Sequence, residues 1–205
     1  MIGIIDYGMG NLRSVQKAFE YLGHAVAICR TPAEAEDTSG LVLPGVGAFE
    51  DAADHLRKHG LWEFILREIE SGKPFLGICL GYQLLFERSE EGRGEVPGLR
   101  VLPGTVRRFG NALKVPHMGW NSVDIIGGEP LFRGVPNGSY FYFVHSYYPD
   151  PEDQTIIAAR TDYQLRFAAA IAYGNIYAVQ FHPEKSSREG LRILGNFADI
   201  CRRDS

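Results

Sequence analysis

Lys73-Pro74-Phe75-Leu76-Gly77-Ile78-Cys79-Leu80-Gly81-Tyr82-Gln83-Leu84-Leu85-Phe86-Glu87-Arg88 is the stretch on which the reading of this chain turns. Residues 73–78 are apolar and opened by Pro74, as in a short buried strand, and residues 81–88 read as the opening of a helix. Cys79 falls at the junction. A sharp strand-to-helix turn strains the backbone of its central residue and crowds the residues two before and two after it. Glycine at 77 and 81 relieves that crowding. Such a turn exposes the Cys79 sulfur at the carboxyl end of the strand, beside a helix N-terminus whose partial positive charge favours a thiolate. It also leaves the Leu80 N–H as a donor for an oxyanion. A lone cysteine is more often a buried structural residue; flanking glycines at a strand–helix junction reverse that preference.

The second half of a catalytic constellation is His182-Pro183-Glu184, which ends the apolar stretch 176–181. In an extended segment residues i and i+2 point to the same side, so His182 and Glu184 approach each other across Pro183, which fixes one backbone angle between them. An imidazole that serves a thiol needs a third group to hold its tautomer. Cys79, His182 and Glu184 are therefore the candidate catalytic residues. An incidental exposed His-Pro-Glu is the alternative, and it loses weight beside the elbow.

Outward from these motifs, the first half alternates strand and helix. Strands are predicted at 1–6, 25–29 and 41–43, and helices at 11–22, 49–58 and 62–70. Thr31-Pro32-Ala33-Glu34 has the form of a capping box. The second half is richer in strands, at 105–109, 140–145, 155–159, 168–173 and 176–181. The last two flank the hairpin signal Gly174-Asn175. Ser186-Ser187-Arg188-Glu189 offers a second capping box for a helix ending near Cys201, and 90–94 reads as an exposed loop. The expected fold is α/β: an open, mostly parallel central sheet with helices on both faces and an antiparallel, strand-rich C-terminal half. The 205 residues, 45% of them hydrophobic, predict one domain over 1–205.

The formal net charge of −4 and the lack of a basic run argue against nucleic-acid binding. No basic leader precedes the first strand and no apolar run is long enough to span a bilayer, which predicts a cytoplasmic protein with no membrane partner. Cys29, Cys79 and Cys201 are odd in number, widely spaced and in no Cys-x-x-Cys pair, so neither disulfides nor a structural zinc is expected.

Other constellations carry less. Pro44-Gly45-Val46-Gly47 is either an ordinary βα turn or a loop that brings a second oxyanion donor near Gly47. Gly8-Met9-Gly10-Asn11 lacks the third glycine of a dinucleotide fingerprint, since position 13 is Arg13. His55 and His59 share a helix face without a third metal ligand, so a solvated face is expected and no metal site. Residues 140–148 form a strongly aromatic strand, suited to core packing on one face and to an interface or substrate wall on the other.

Together these residues resemble the class I glutamine amidotransferases, in which a triad glutaminase domain takes ammonia from glutamine. Gly-Ile-Cys-Leu-Gly-Tyr-Gln at 77–83 and His-Pro-Glu at 182–184 carry that likeness. Four further motifs narrow it to the glutaminase subunits of imidazole glycerol phosphate synthases. They are Asp-Tyr-Gly-Met-Gly-Asn-Leu at 6–12, Leu-Pro-Gly-Val-Gly-Ala-Phe at 43–49, Pro-His-Met-Gly-Trp-Asn at 116–121 and Tyr-Phe-Val-His-Ser-Tyr at 142–147.

The resemblance implies Cys79 as nucleophile, His182 as base and acid, Glu184 as its orienter, and oxyanion donors at Leu80 and Gly47. It implies that Gln83, Ser146 and Tyr147 bind glutamine, with no cofactor. It also implies a separate (β/α)8-barrel cyclase as partner in a heterodimer, receiving ammonia through a channel, with Asn11, Trp120, Tyr142 and Lys185 near the interface. Rival readings are a glutaminase serving pyridoxal phosphate or anthranilate synthesis, a cysteine peptidase or thioesterase, and a non-catalytic regulatory subunit.

Overall fold

The structure, a computed structural model, describes residues 1–92 and 95–203. The chain opens with β1 (Ile2–Ile5), α1 (Leu12–Tyr21), β2 (Val26–Cys29), the single turn α2 (Pro32–Ala35), β3 (Gly40–Gly45), α3 (Phe49–Lys58), α4 (Leu61–Glu70), β4 (Phe75–Cys79) and the single turn α5 (Leu80–Gln83). It continues with β5 (Phe86–Ser89), β6 (Val96–Pro97), β7 (Leu102–Arg108), β8 (His117–Ser122), β9 (Asp124–Ile125), β10 (Tyr140–His145) and β11 (Tyr147–Pro151). It closes with β12 (Ile157–Tyr163), β13 (Leu165–Tyr173), β14 (Ile176–Val179) and α6 (Ser187–Arg203).

The main sheet runs β2-β1-β3-β4-β14-β13-β12-β9. Its pairings from β2 through β14 are parallel, and those from β14 to β9 are antiparallel. β1, β3, β4 and β14 are buried along their whole length, as apolar runs must be when both faces of a sheet are covered. Alternate residues feed two separate cores. Ile4, Val42, Leu76 and Val179 pack with Val15 and Phe19 of α1 and Ile193, Leu194 and Phe197 of α6. Ile5, Leu43, Phe75 and Ala178 pack on the opposite face with α3, α4 and the smaller sheet β11-β7-β5-β6. The expected α/β architecture, with helices on both faces, is therefore the observed one.

Several local expectations are corrected. The helix predicted at 81–88 is one turn, followed by strand β5. The carbonyls of Leu84, Leu85, Phe86 and Glu87 accept from the N–H groups of Leu99, Leu102, Arg100 and Gly98 (2.8–3.2 Å), so they are taken across the chain instead of along a helix. Residues 154–156 form a 3-10 turn in place of the predicted start of a strand. There Asp153 accepts from both the N–H and the hydroxyl of Thr155, a local bond that competes with the sheet.

Neither capping box forms. Glu34 accepts from the Arg30 N–H, and Ser186 is committed elsewhere, as described below. His55 does not simply face solvent: its Nδ1 donates to the Tyr7 carbonyl at 2.9 Å. The loop predicted at 90–94 extends into residues 93 and 94, which lie outside the described residues.

The Gly174-Asn175 hairpin does a specific task. Asn175 Nδ2 donates to the carbonyls of Ile69 and Lys73, and its carbonyl accepts from Phe75 N–H. These bonds pin the hairpin tip to the start of β4 and place β14 in parallel register beside it, with Val179 opposite Ile78. Gln180 follows level with Cys79, and His182 comes two residues later.

Candidate active site

Cys79 adopts φ 54° and ψ −106°, a conformation that costs a non-glycine residue about 1–3 kcal/mol and persists only where its surroundings enforce it. The enforcement is visible at the flanking glycines. A Cβ on Gly77 would lie 2.8 Å from the Gly81 carbonyl oxygen, and one on Gly81 would lie 1.8 Å from the Leu43 carbonyl oxygen. The predicted elbow is therefore present. The helix that follows is a single turn, however, so its dipole contributes less at the sulfur than a full helix would. As the first residue of that turn, Leu80 has an N–H without an intrahelical acceptor.

His182 and Glu184 meet as their spacing predicts: Nδ1 and Oε1 are 2.9 Å apart, and both side chains are buried. Nδ1 donates to the carboxylate, which leaves Nε2 for chemistry. Nε2 and Glu184 Oε2 make no hydrogen bond. Burial pulls the His182 pKa down, but the neighbouring Cys79 sulfur and the hydrogen bond to the Glu184 carboxylate outweigh it and lift the value to about 10. The imidazole thus holds a proton at neutral pH while facing the sulfur.

Cys79 opens onto a cavity of about 410 Å³ lined by Val46, Gly47, Leu80, Gln83, Ser146 and Tyr147 among others. The structure thus gathers the predicted oxyanion and glutamine-binding positions around one sulfur. Gly47 has φ 97°, and a Cβ there would come 2.7 Å from Met9 Cε, so the 44–47 loop rests on the loop after β1. Gln83 spends both amide hydrogens inside the protein, on the Tyr147 carbonyl (3.0 Å) and Gln180 Oε1 (3.1 Å). It can therefore offer a ligand only its oxygen.

The four predicted interface residues divide. Trp120 and Tyr142 pack edge-on across the β8–β10 ribbon, and Lys185 Nζ lies 5.9 Å from the Tyr142 ring centre. Asn11 stands apart at the head of α1, accepting from the Ser14 hydroxyl. The aromatic strand packs the core with one face, as expected: Phe141 and Phe143 are buried, while Tyr140 is exposed and Tyr142 half-exposed.

Sequence reasoning missed four residues. Gln180, fully buried, donates to Cys79 Sγ at 3.6 Å; a polar residue in the apolar run 176–181 was its signal. Ser186 donates to the His182 carbonyl (2.6 Å) and accepts from Tyr142 N–H (2.9 Å), while His182 N–H donates to the Tyr142 carbonyl (2.9 Å). The segment that carries His182 and Glu184 is thereby tied to the ribbon. Glu91 lines the cavity and accepts from Phe49 N–H; burial raises its pKa. The Tyr7 hydroxyl is buried beside Gly45 without a partner; burial and the charge of Cys79 both push its pKa up.

The family model for glutamine amidotransferase class-I matches residues 3–201, and the chain belongs to that family. It is 55% identical to imidazole glycerol phosphate synthase subunit HisH of Syntrophotalea carbinolica, over 98% of this chain and 100% of that one. It is 54% identical to the subunit of the same name from Moorella thermoacetica, over 98% and 95% of the two chains. A crystal structure of a glutamine amidotransferase superposes with a TM-score of 0.78 at 21% identity, covering 98% of each chain. The structure of PurLQS from Thermotoga maritima also gives 0.78, at 17% identity, covering 97% of each chain; these two likenesses speak to the fold. The protein is a glutamine amidotransferase.

Proposed function

We propose that this chain is the glutaminase subunit of an imidazole glycerol phosphate synthase, a single glutamine amidotransferase domain over 1–205 acting in histidine biosynthesis in the cytoplasm. Among the described residues no helix is long and apolar enough to cross a membrane. The observation that carries the chemistry is the strained Cys79 facing an imidazole whose far nitrogen is held by Glu184 at 2.9 Å.

Cys79 Sγ attacks the side-chain amide carbon of glutamine, and the electron pair of the C=O bond moves to oxygen. The Leu80 N–H and a donor from the Gly47 loop receive that charge, a contribution of about 3 kcal/mol for each donor. His182 delivers its proton to the departing nitrogen, ammonia leaves, and a γ-glutamyl thioester remains. His182, now neutral, takes a proton from water, whose oxygen attacks the thioester to release glutamate and return the sulfur. Glu184 keeps Nδ1 protonated, so that Nε2 is always the working nitrogen. The Gln83 oxygen and the Glu91 carboxylate offer acceptors for the α-ammonium group of the substrate, near the Ser146–Tyr147 segment.

The names of the close relatives make them subunits of a larger synthase, and the partner proposed here is a (β/α)8-barrel cyclase that takes the ammonia through a channel. Met118, Trp120 and Tyr140 support this reading: they are large, apolar and exposed on the ribbon that Ser186 ties to His182. Glutamate release from glutamine by wild type and Cys79→Ala, each alone and with the cyclase and a ribotide ligand, tests both levels. Cys79-dependent release that rises with liganded cyclase is expected. Release indifferent to that cyclase would transfer the glutaminase to another synthase.

A further inference from the structure

The β8–β10 ribbon is joined to the substrate cavity by a second route, through two buried imidazoles that the reaction does not use. His145 Nδ1 lies 2.7 Å from the Tyr147 carbonyl, His117 Nδ1 lies 2.9 Å from His145 Nε2, and Asn121 Nδ2 lies 3.2 Å from His117 Nε2. The direction of every proton in this chain is fixed. A carbonyl only accepts, so His145 carries its proton on Nδ1, and its Nε2 is an acceptor when the ring is neutral. His117 must then donate from Nδ1, which leaves its Nε2 to accept from Asn121. The Asn121 amide is itself oriented, donating to the Asp162 carbonyl (3.0 Å) and accepting from Ser122 N–H (2.9 Å).

Burial keeps both rings neutral at pH 7, pushing His117 down to about 4 and His145 to about 3. His117 is stacked between Phe143 (ring centres 4.8 Å) and Tyr163 (4.1 Å), so its ring plane is not free to turn. The Tyr147 carbonyl also receives Gln83 Nε2, whose second hydrogen goes to Gln180, which in turn donates to Cys79 Sγ. A single line of oriented hydrogen bonds therefore converges on Tyr147 from the ribbon on one side and from the nucleophile on the other.

We infer that His117 and His145 are positioning residues. They form a tautomer-locked strut that sets the Ser146–Tyr147 segment, and through it Gln83, in the place where glutamine is bound, in register with the exposed ribbon. The inference rests on the proposed glutaminase reading of the cavity and deepens it. Asn121 follows Trp120 in β8, so a partner that shifts the ribbon shifts the far end of the strut. The strut's main effect is on substrate binding, since neither ring hydrogen-bonds to Cys79, His182 or Glu184 and the line reaches the sulfur two side chains further on, through Gln83 and Gln180.

His117→Phe keeps the stacking and removes both polar ends, whereas His117→Asn restores a donor near the Nδ1 position. With the full chain in its cyclase complex, H117F is expected to raise the glutamine KM about tenfold, the scale of one lost buried hydrogen bond. Its rate of Cys79 alkylation by iodoacetamide should match wild type, and H117N should recover most of the KM. Unchanged KM, equal loss in KM and alkylation, or an H117N as impaired as H117F would overturn the strut.

If H117F does not fold, His145→Asn, which keeps a donor for Tyr147 but is cut from His117, carries the same KM expectation and the same refutation. Nitrogen-15 NMR of the wild-type imidazoles is independent of turnover. Neutral Nδ1–H tautomers at both rings are expected at pH 7, and an Nε2–H tautomer at either would overturn the relay. Wild type that releases no glutamate while showing those tautomers would refute the glutaminase reading and leave the hydrogen-bonded strut standing.

Discussion

The two halves of the candidate triad are built by different means. The nucleophile gets its geometry from residues 77–81 and one carbonyl packed on them: Gly77 and Gly81 admit the turn, and the Leu43 carbonyl, lying where a Cβ on Gly81 would fall, closes it. The imidazole gets its geometry from across the molecule. Asn175 sets the register of β14 against β4, Tyr142 and Ser186 hold the His182 backbone, and Gln180 links the strand to the sulfur. Sterics governs the first half and a buried hydrogen-bond network governs the second. The first should therefore fail all at once when its packing is violated, and the second by degrees as bonds are removed.

The largest effect is expected at the elbow. Gly81→Ala places a methyl 1.8 Å from the Leu43 oxygen, and the backbone must move to relieve it. A destabilisation of roughly 4 kcal/mol or more, in the class of severe single substitutions, is expected by urea unfolding. A variant within 1 kcal/mol of wild type, on the linear-extrapolation scale, would break the steric account.

On the imidazole side, Glu184→Gln preserves shape but presents an amide that can favour the wrong tautomer. With the melting temperature nearly unchanged, kcat should fall about 10²–10⁴-fold. Ser186→Ala should act more mildly. It removes the acceptor for Tyr142 N–H and one donor to the His182 carbonyl, costing about 1–3 kcal/mol of stability. A several-fold loss of kcat should accompany it, and an unchanged kcat would detach the ribbon from the triad.

The smallest effects lie in the pH dependence of stability, where the histidines act with opposite signs. His117 and His145, depressed by burial to about 4 and about 3, bind fewer protons folded than unfolded below pH 6.5. Their contribution is present above pH 6.5 and is lost as pH falls toward those values. His182, raised to about 10, contributes fully below pH 6.5 and loses that contribution as pH rises through 10. Melting temperatures across pH 4–10.5 should fall at both ends. In His182→Gln the alkaline fall should flatten while the acid fall stays, and a variant with an unaltered alkaline limb would contradict the assignment.

The same division explains what the sequence disclosed. The parallel half was legible because its inner strands β1, β3, β4 and β14 are apolar runs covered on both faces, and the elbow because its glycines stand beside its cysteine. The helix predicted at 81–88 failed because long-range N–H groups from 98–102 claim the carbonyls that a helix would have used. β8 was missed because its alternation is inverted: His117 points into the core while Met118 and Trp120 face out. A strand read for apolar residues on the inside does not register when its large apolar residues face out. The roles of Gln180 and Ser186 went unread because bonds to residues distant in sequence, Cys79 and Gln83 for the one and Tyr142 for the other, leave no local periodicity.

The most direct test of the account is intact-mass analysis of the chain during turnover of glutamine, with peptide mapping of any adduct. A γ-glutamyl adduct on Cys79 that decays with glutamate release, and neither adduct nor release in Cys79→Ala, is the predicted result. Undiminished release by Cys79→Ala, or an adduct mapped to Cys29 or Cys201, would contradict it.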